Sequence, residues 1–247
     1  MNWNDPPEAE ASTMENGKTR GFFPTLIDVF LNPGQAMTTL AAKPRWFLPL
    51  LLVTAMMAVP VFMHMDALVQ ITVEAQAAAS PEVDDEALAV AESITGAFFL
   101  GSILVGVPLA LVVFSVVYWL IFKIVGDEGG LKQWISMTAH ASLISAVLGI
   151  IYAVVLGGPT EGAQDLPRLS LGFFLGGEGP LRTFLNGISV EGIWAAAVLA
   201  CGARALSQGR RSFNVAFVIT LAVMLVGAVV TAIFSAFGQA IGGAGAG

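Results

Sequence analysis

The residues most capable of chemistry in this 247-residue chain are two ionisable side chains inside long apolar stretches. His140 follows Trp134 by six positions, about 9 Å along a helix, and Glu191 lies near the start of another apolar run. An ionisable group in such a run is a functional hypothesis, for example as part of an ion pathway. The alternatives are a neutral His140 hydrogen-bonded to a neighbouring helix, which we favour, and a Glu191 side chain that reaches the polar headgroups. We expect no direct His140–Glu191 pair.

Other chemistry finds little support in the sequence. His64 and Asp66 are two potential ligands, too few to close a metal site. The patterns H-E-x-x-H and G-x-S-x-G are absent, and the glycine-rich segments 126–130 and 175–180 lack the Lys-Ser/Thr ending of a phosphate loop. We therefore predict that the protein is not an enzyme and has no catalytic residue, no metal and no cofactor.

The composition indicates a membrane protein. Hydrophobic residues make up 56% of the chain and charged residues 12%, with a mean hydropathy of +0.78, whereas soluble domains are about a quarter charged. The charges cluster in short stretches between uncharged runs, so the lipid bilayer is the first expected partner. A net charge of −7 argues against nucleic acid. The single cysteine, Cys201, excludes an intramolecular disulfide.

Five apolar runs are long enough to cross a bilayer about 30 Å thick. We therefore predict an all-α, polytopic integral membrane protein with five transmembrane helices. Pro49, Pro60 and Pro108 predict kinks. The fourth run is the weakest, because it contains Glu191 and many small residues. The predicted spans are 46–64, 97–122, 134–156, 187–205 and 213–237.

Basic residues orient these spans. Only Arg168 and Arg182 fall in loops on one side, and nine fall on the other: Lys18, Arg20, Lys43, Arg45, Lys123, Lys132, Arg204, Arg210 and Arg211. The positive-inside rule places the nine in the cytoplasm. It predicts a cytoplasmic N-terminus and an external C-terminus in a bacterial plasma (inner) membrane. Trp46, Trp119 and Trp134 fall at the predicted cytoplasmic ends, where aromatic rings favour the headgroup region.

The segment 22–45 predicts a pair of amphipathic helices on the cytoplasmic leaflet, a plain linker being the alternative. Asn32 can cap the second helix, with Pro33 at its first position. The first helix has one apolar face and the second another: Leu26, Ile27, Phe30 and Leu31, then Met37, Leu40 and Ala41. The resulting organisation is a disordered cytoplasmic tail at 1–21, interfacial helices at 22–45, a membrane domain at 46–237 and a flexible external tail at 238–247.

Small residues recur every fourth position in the last three spans, which favours close helix packing there; a compositional bias toward Ala and Gly is the alternative. The external loop 65–96 contains seven acidic residues and no basic one. We expect a solvated helical face there, with a site for a cation or basic partner as the alternative. The small-residue faces are Ala141, Ser145, Gly149 and Ala153; Gly192, Ala196 and Ala200 with Ala197, Cys201 and Ala205; and Gly227, Thr231 and Ser235 with Ala228, Ala232 and Ala236.

Three segments resemble the bacterial branch of the Yip1 family: DVFLNPGQAMTTLAAKPRWFLPL, KIVGDEGGLKQWISMTAHASL and SVEGIWAAAVLACGARALS. With a final apolar span they cover most of residues 22–237. The resemblance implies a five-span α-helical membrane protein without known catalysis. Eukaryotic members resemble adaptors of vesicle traffic that engage Rab-type GTPases. The acidic motif near their first span is not recognisable here, so GTPase binding is not carried over.

Two functions follow as hypotheses. The first is a noncatalytic membrane adaptor or scaffold that acts through protein–protein or protein–lipid interactions, with an unknown membrane or cytoplasmic protein as partner. The second is a small transporter or channel, or an accessory subunit of a transport complex. Its support is the kinked early spans with His140 and Glu191, but five unequal spans lack the internal repeat usual in transporters. A homo-oligomer is a further alternative, since it could supply a transport pathway between subunits.

Overall fold

The computed structural model describes residues 21–79, 85–159 and 166–244, and most of these residues are helical. The all-helical prediction is confirmed, since the extended pairing in these ranges is an isolated bridge between Ser170 and Ser189. Residues 1–20 of the predicted tail, the acidic segment 80–84 and residues 245–247 lie outside the described residues.

The helices follow the predicted runs with shifted ends. The last one continues past the predicted end at 237, so the described part of the predicted tail is helical. In chain order the helices are α1 Phe22–Leu31, α2 Pro33–Ala42, α3 Phe47–Met63, α4 Met65–Ala79, α5 Asp85–Gly101, a π-helical turn Ser102–Gly106, α6 Val107–Ile124, α7 Leu131–Val155, α8 Leu171–Leu175, α9 Gly179–Asn186, α10 Val190–Leu206 and α11 Phe213–Ala244.

By length and composition, three helical stretches in the described chain could cross a membrane: Glu86–Ile124, Leu131–Val155 and Phe213–Gly238. A fourth is formed if the bent pair Phe47–Met63 and Met65–Ala78 is one span. The fourth predicted run corresponds to α10, which has 17 residues. The structure therefore supports three or four spans, and a count of five stays a prediction.

The helix irregularities lie near the prolines. The chain bends by 67° between α3 and α4, at His64, one turn after Pro60. The π-helical turn Ser102–Gly106 directly precedes α6, whose second residue is Pro108. A proline lacks the N–H of the i→i−4 ladder, and a π turn is one way for a helix to accommodate the interruption. Pro49 lies in the first turn of α3, where no such N–H is needed.

The chain forms two compact units. The first comprises Met1–Val53, Leu109–Ser145 and Glu191–Met224, and the second comprises Thr54–Pro108, Ala146–Val190 and Leu225–Gly247. Of the nine basic residues that the structure describes, seven belong to the first unit and two, Arg168 and Arg182, to the second.

Helix α10 is well enclosed in the first unit, because every residue from Val198 to Ala203 is buried. Its small residues let neighbouring helices approach closely, as predicted. The prediction is only partly right for α11, where Ala228 is buried but Thr231 is exposed. Thr231 can face lipid because its hydroxyl donates to Gly227 O in its own helix at 2.9 Å.

Candidate functional site

Helix α2, near the N-terminus, belongs to the first unit. Ala36, Met37 and Leu40 are buried in α2, so two residues of the predicted apolar face Met37, Leu40 and Ala41 pack against the protein. A methyl group added to Gly202 of α10 would lie 2.7 Å from Met137 Sδ and 3.4 Å from Met37 Sδ. Gly202 therefore marks the point where α2, α7 and α10 meet, and we call this arrangement the seat of α2.

We call residues 22–45, which contain α1 and α2, the N-terminal arm. Three hydrogen bonds tie the end of this arm to α7. Gln133 Nε2 donates to Ala41 O at 2.6 Å. The Ser136 hydroxyl accepts from Arg45 N at 2.9 Å and donates to Arg45 O at 3.0 Å. One side chain thus satisfies both backbone groups of Arg45, next to Pro44, which has no N–H of its own.

Helix α1 presents large apolar side chains outward. Its buried residues are Thr25 and Val29, whereas Phe23, Ile27 and Leu31 are 73%, 58% and 77% exposed. Ile27 and Leu31, from the predicted apolar face, are thus not buried in the protein, and the placement of the helix pair on the leaflet stays a prediction. Thr25 and Val29 have short side chains, which allow α1 to pack closely. The large apolar side chains of α1 face outward, where a nonaqueous environment suits them.

Asn32 links the two arm helices, as predicted, with Pro33 at the first position of α2. Its side chain does not cap the backbone; instead Asn32 Nδ2 donates to Gln35 Oε1 at 3.0 Å. On the outer side of the arm, Phe30 makes an edge-to-face contact with Trp194 of α10 at 6.4 Å between ring centroids.

His140 lies one turn beyond Ser136 on α7 and is fully buried. Its Nδ1 is 2.7 Å from Ser136 O, so Nδ1 carries the proton and Nε2 is an acceptor. Among the described residues, Nε2 has no hydrogen-bond partner. The predicted bond to a neighbouring helix is thus a bond within α7. Whether His140 has a function stays a prediction.

Glu191 lies in the first turn of α10 and is 7% exposed. A carboxylate near a helix N-terminus is stabilised by the helix dipole, which explains this position without a transport role. The structure therefore places both predicted polar residues inside the protein, and a functional role for either stays a prediction.

Aromatic stacking shows that Trp134 is a core residue. It is fully buried and stacks on Phe122 at 4.8 Å and on Tyr118 at 5.8 Å between centroids. Trp134 is thus enclosed by protein, because α6 supplies two rings that cover it, and its depth in the membrane stays a prediction. Trp46 is 37% exposed, as an interfacial ring would be.

The second unit contains the other predicted polar features. His64 Nε2 lies 3.1 Å from Ala153 O, and no group of three potential metal ligands converges among the described residues. Asp66, Glu74 and Glu92 line a cavity of about 590 Å³ between α4 and α5. These three residues belong to the acidic helical face that the sequence predicted, and we assign no function to it.

The residues missed from the sequence are Gln133 and Ser136. With His140 they stand at positions i, i+3 and i+7 of α7, on one helix face. A polar stripe of this kind in an apolar helix indicates contact with another protein segment, so the signal was present.

Apolar helices of spanning length with internally satisfied polar groups define a polytopic helical membrane protein. The chain belongs to the Yip1 family, whose Yip1 domain matches residues 27–234. It is 24% identical to "Membrane protein YknW" of Bacillus subtilis (strain 168) over 194 residues, covering 78% of this chain and 83% of that protein. No solved structure matches the chain. The Yip1 resemblance is confirmed, in a family not known as enzymatic.

Proposed function

We propose that the protein is a noncatalytic membrane adaptor or scaffold that contacts a partner protein through its N-terminal helices. The observation that carries this proposal is the arm itself. Helix α2 is held in its seat by buried side chains and backbone hydrogen bonds, while α1 exposes Phe23, Ile27 and Leu31. A rigidly seated arm with an outward apolar face is suited to binding another helix within the membrane.

The proposal includes five spans, with α10 as the fourth, in a bacterial plasma membrane. The N-terminus is cytoplasmic and the C-terminus external. The division of the basic residues, nine in the predicted cytoplasmic segments and two in the external ones, supports this orientation. Helix α10 has 17 residues, which is at the short end of the lengths that can span a bilayer. The burial of many of its residues supports counting it as a span.

Quantitative crosslinking in native membranes tests the adaptor role. We expect specific protein crosslinks that disappear when Phe23, Ile27 and Leu31 are all replaced by alanine. The matched control replaces Val90, Ile94 and Phe98 of α5, which are also large, apolar and exposed, and should keep these crosslinks. The proposal fails if the arm variant keeps every crosslink, or if only lipid is crosslinked to the wild type.

A transporter, a channel or a transport accessory subunit is the second candidate, and the 67° break between α3 and α4 favours it. Interrupted spans are a feature of transporter binding sites. In liposomes, flux above that of empty vesicles and sensitive to His140→Ala or Glu191→Ala would support it. Flux equal to empty vesicles would exclude this candidate.

A further inference from the structure

Two polar loops of the first unit form a charged cavity of about 520 Å³. One loop joins α6 to α7 and contributes Asp127, and the other joins α10 to α11 and contributes Arg210 and Arg211. This cavity is separate from the seat of α2, and the inference drawn from it goes beyond the proposed function. An adaptor could exist without it.

A buried ion pair forms one wall of the cavity. Arg211 Nη2 lies 2.8 Å from Asp127 Oδ1, and the two side chains are 14% and 3% exposed. Arg211 also donates to Val125 O at 2.9 Å, and its guanidinium lies 5.5 Å from the centroid of the Phe122 ring. These contacts fix the carboxylate of Asp127 in one orientation.

The second carboxylate oxygen of Asp127 is unsatisfied. Within the described residues, Asp127 Oδ2 and Arg211 Nε are buried and have no hydrogen-bond partner. A buried polar atom without a partner costs about 1–3 kcal/mol, so the site calls for a group that donates to Asp127. Asp127 is one of the residues that line the cavity, so the cavity brings a ligand next to this carboxylate.

The remaining lining favours a phosphate. Arg210 is 58% exposed and bonded to Glu128 at 3.3 Å, so its guanidinium can exchange that partner for an anion. Ser212 directly precedes α11, whose N-terminal dipole also attracts negative charge. Asp127, Arg210 and Arg211 together give the lining a formal charge of +1, and Glu128, which balances it, lies outside the lining. An anion that takes the place of Glu128 at Arg210 therefore meets a positive lining.

Apolar side chains complete the cavity. Val125 and Val215 line it and are 45% and 49% exposed, so they can contact the first carbons of an acyl chain. We propose that this cavity binds the headgroup of an anionic glycerophospholipid whose phosphate carries a hydroxyl-bearing alcohol, as in phosphatidylglycerol. The phosphate contacts Arg210 and the start of α11, and a headgroup hydroxyl donates to Asp127 Oδ2.

Native mass spectrometry of the delipidated full-length protein in neutral detergent tests this proposal. The probes are phosphatidylglycerol, phosphatidylmethanol, which is anionic but lacks a headgroup hydroxyl, phosphatidylcholine and free glycerol 3-phosphate. We expect phosphatidylglycerol to bind about tenfold more tightly than each of the other lipids, the effect of one charge-assisted hydrogen bond. Binding of free glycerol 3-phosphate as tight as that of the lipid would overturn the lipid assignment.

Three variants locate the binding. Arg210→Gln should weaken phosphatidylglycerol binding about tenfold, and Asp127→Asn should abolish the preference over phosphatidylmethanol. Lys123→Gln is the control, since it removes one exposed base near the same loop but outside the cavity lining. Equal weakening by Lys123→Gln and Arg210→Gln, or equal binding of all lipids by the wild type, would overturn the proposal. Arg210 is exposed, so its test stands even if Asp127→Asn fails to fold.

Discussion

At the residue scale, Gly202 is a sterically constrained position of the first unit. Helix α10 can meet both Met37 and Met137 there only because the position has no side chain. Spacing of small residues along α10 predicted close packing, but not that the packing would include a helix from the N-terminal arm. Which helices pack against Gly202 is decided by the tertiary structure.

Gly202→Val should destabilise the purified protein by about 1–3 kcal/mol, the usual cost of overpacking a filled core. The measurement is the thermal unfolding midpoint in detergent. Gly149→Val is the control, since no atom lies within 4 Å of an added methyl group at that position. Equal midpoints for the two variants would contradict the packing described for Gly202.

Ser136 is the residue on which the end of the arm depends. Ser136→Ala removes both hydrogen bonds to Arg45, and we expect a loss of about 1–3 kcal/mol because the Arg45 groups are left unpaired. Hydrogen exchange of the Arg45 amide should accelerate. Thr231→Ala, which removes only a bond within an exposed helix turn, should change stability by less than about 0.5 kcal/mol. Unchanged Arg45 exchange would show that Ser136 does not hold the arm.

At the element scale, the sequence predicted helix α1 but not which of its residues the protein buries. Periodicity located the helix and its boundary at Asn32, but the helix is apolar on more than one face, so periodicity could not decide which face is buried. Packing decided this by burying Thr25 and Val29. In lipid, large apolar side chains lose nothing by facing outward.

A spin label at Ile27 tests this orientation in proteoliposomes. We expect oxygen, which concentrates in lipid, to relax the label strongly and a water-soluble nickel complex to relax it weakly. A label at Lys43, an exposed charged position after α2, should show the reverse. Relaxation of the Ile27 label mainly by the nickel complex would mean that α1 faces water.

At the scale of the whole molecule, charge organises the chain. The basic residues divide nine to two between the predicted cytoplasmic and external segments, which is the division that the positive-inside rule needs. The orientation itself is tested by the labelling of single cysteines.

In a Cys201→Ala background, cysteines replace Lys132, Glu74 or Glu178, all of which are exposed. We expect a membrane-impermeant maleimide to label the Glu74 and Glu178 replacements in intact cells. The Lys132 replacement should react only after the membrane is opened. Labelling of all three in intact cells would contradict the proposed topology.

The sequence alone determined the class of protein, because 12% charged residues cannot solvate a chain of this length in water. Apolar runs located the helices, since a backbone in lipid must satisfy its hydrogen bonds locally. Local patterns also found Asn32 at the boundary between α1 and α2.

Only the tertiary structure decided what those elements contact. Trp134 looked interfacial by position and is enclosed by two rings of α6. The pair Asp127–Arg211 joins residues 84 positions apart, and no local pattern encodes that distance. In an almost uniformly apolar chain, hydrophobicity does not distinguish the side facing lipid from the side facing protein, so shape and a few hydrogen bonds make that choice.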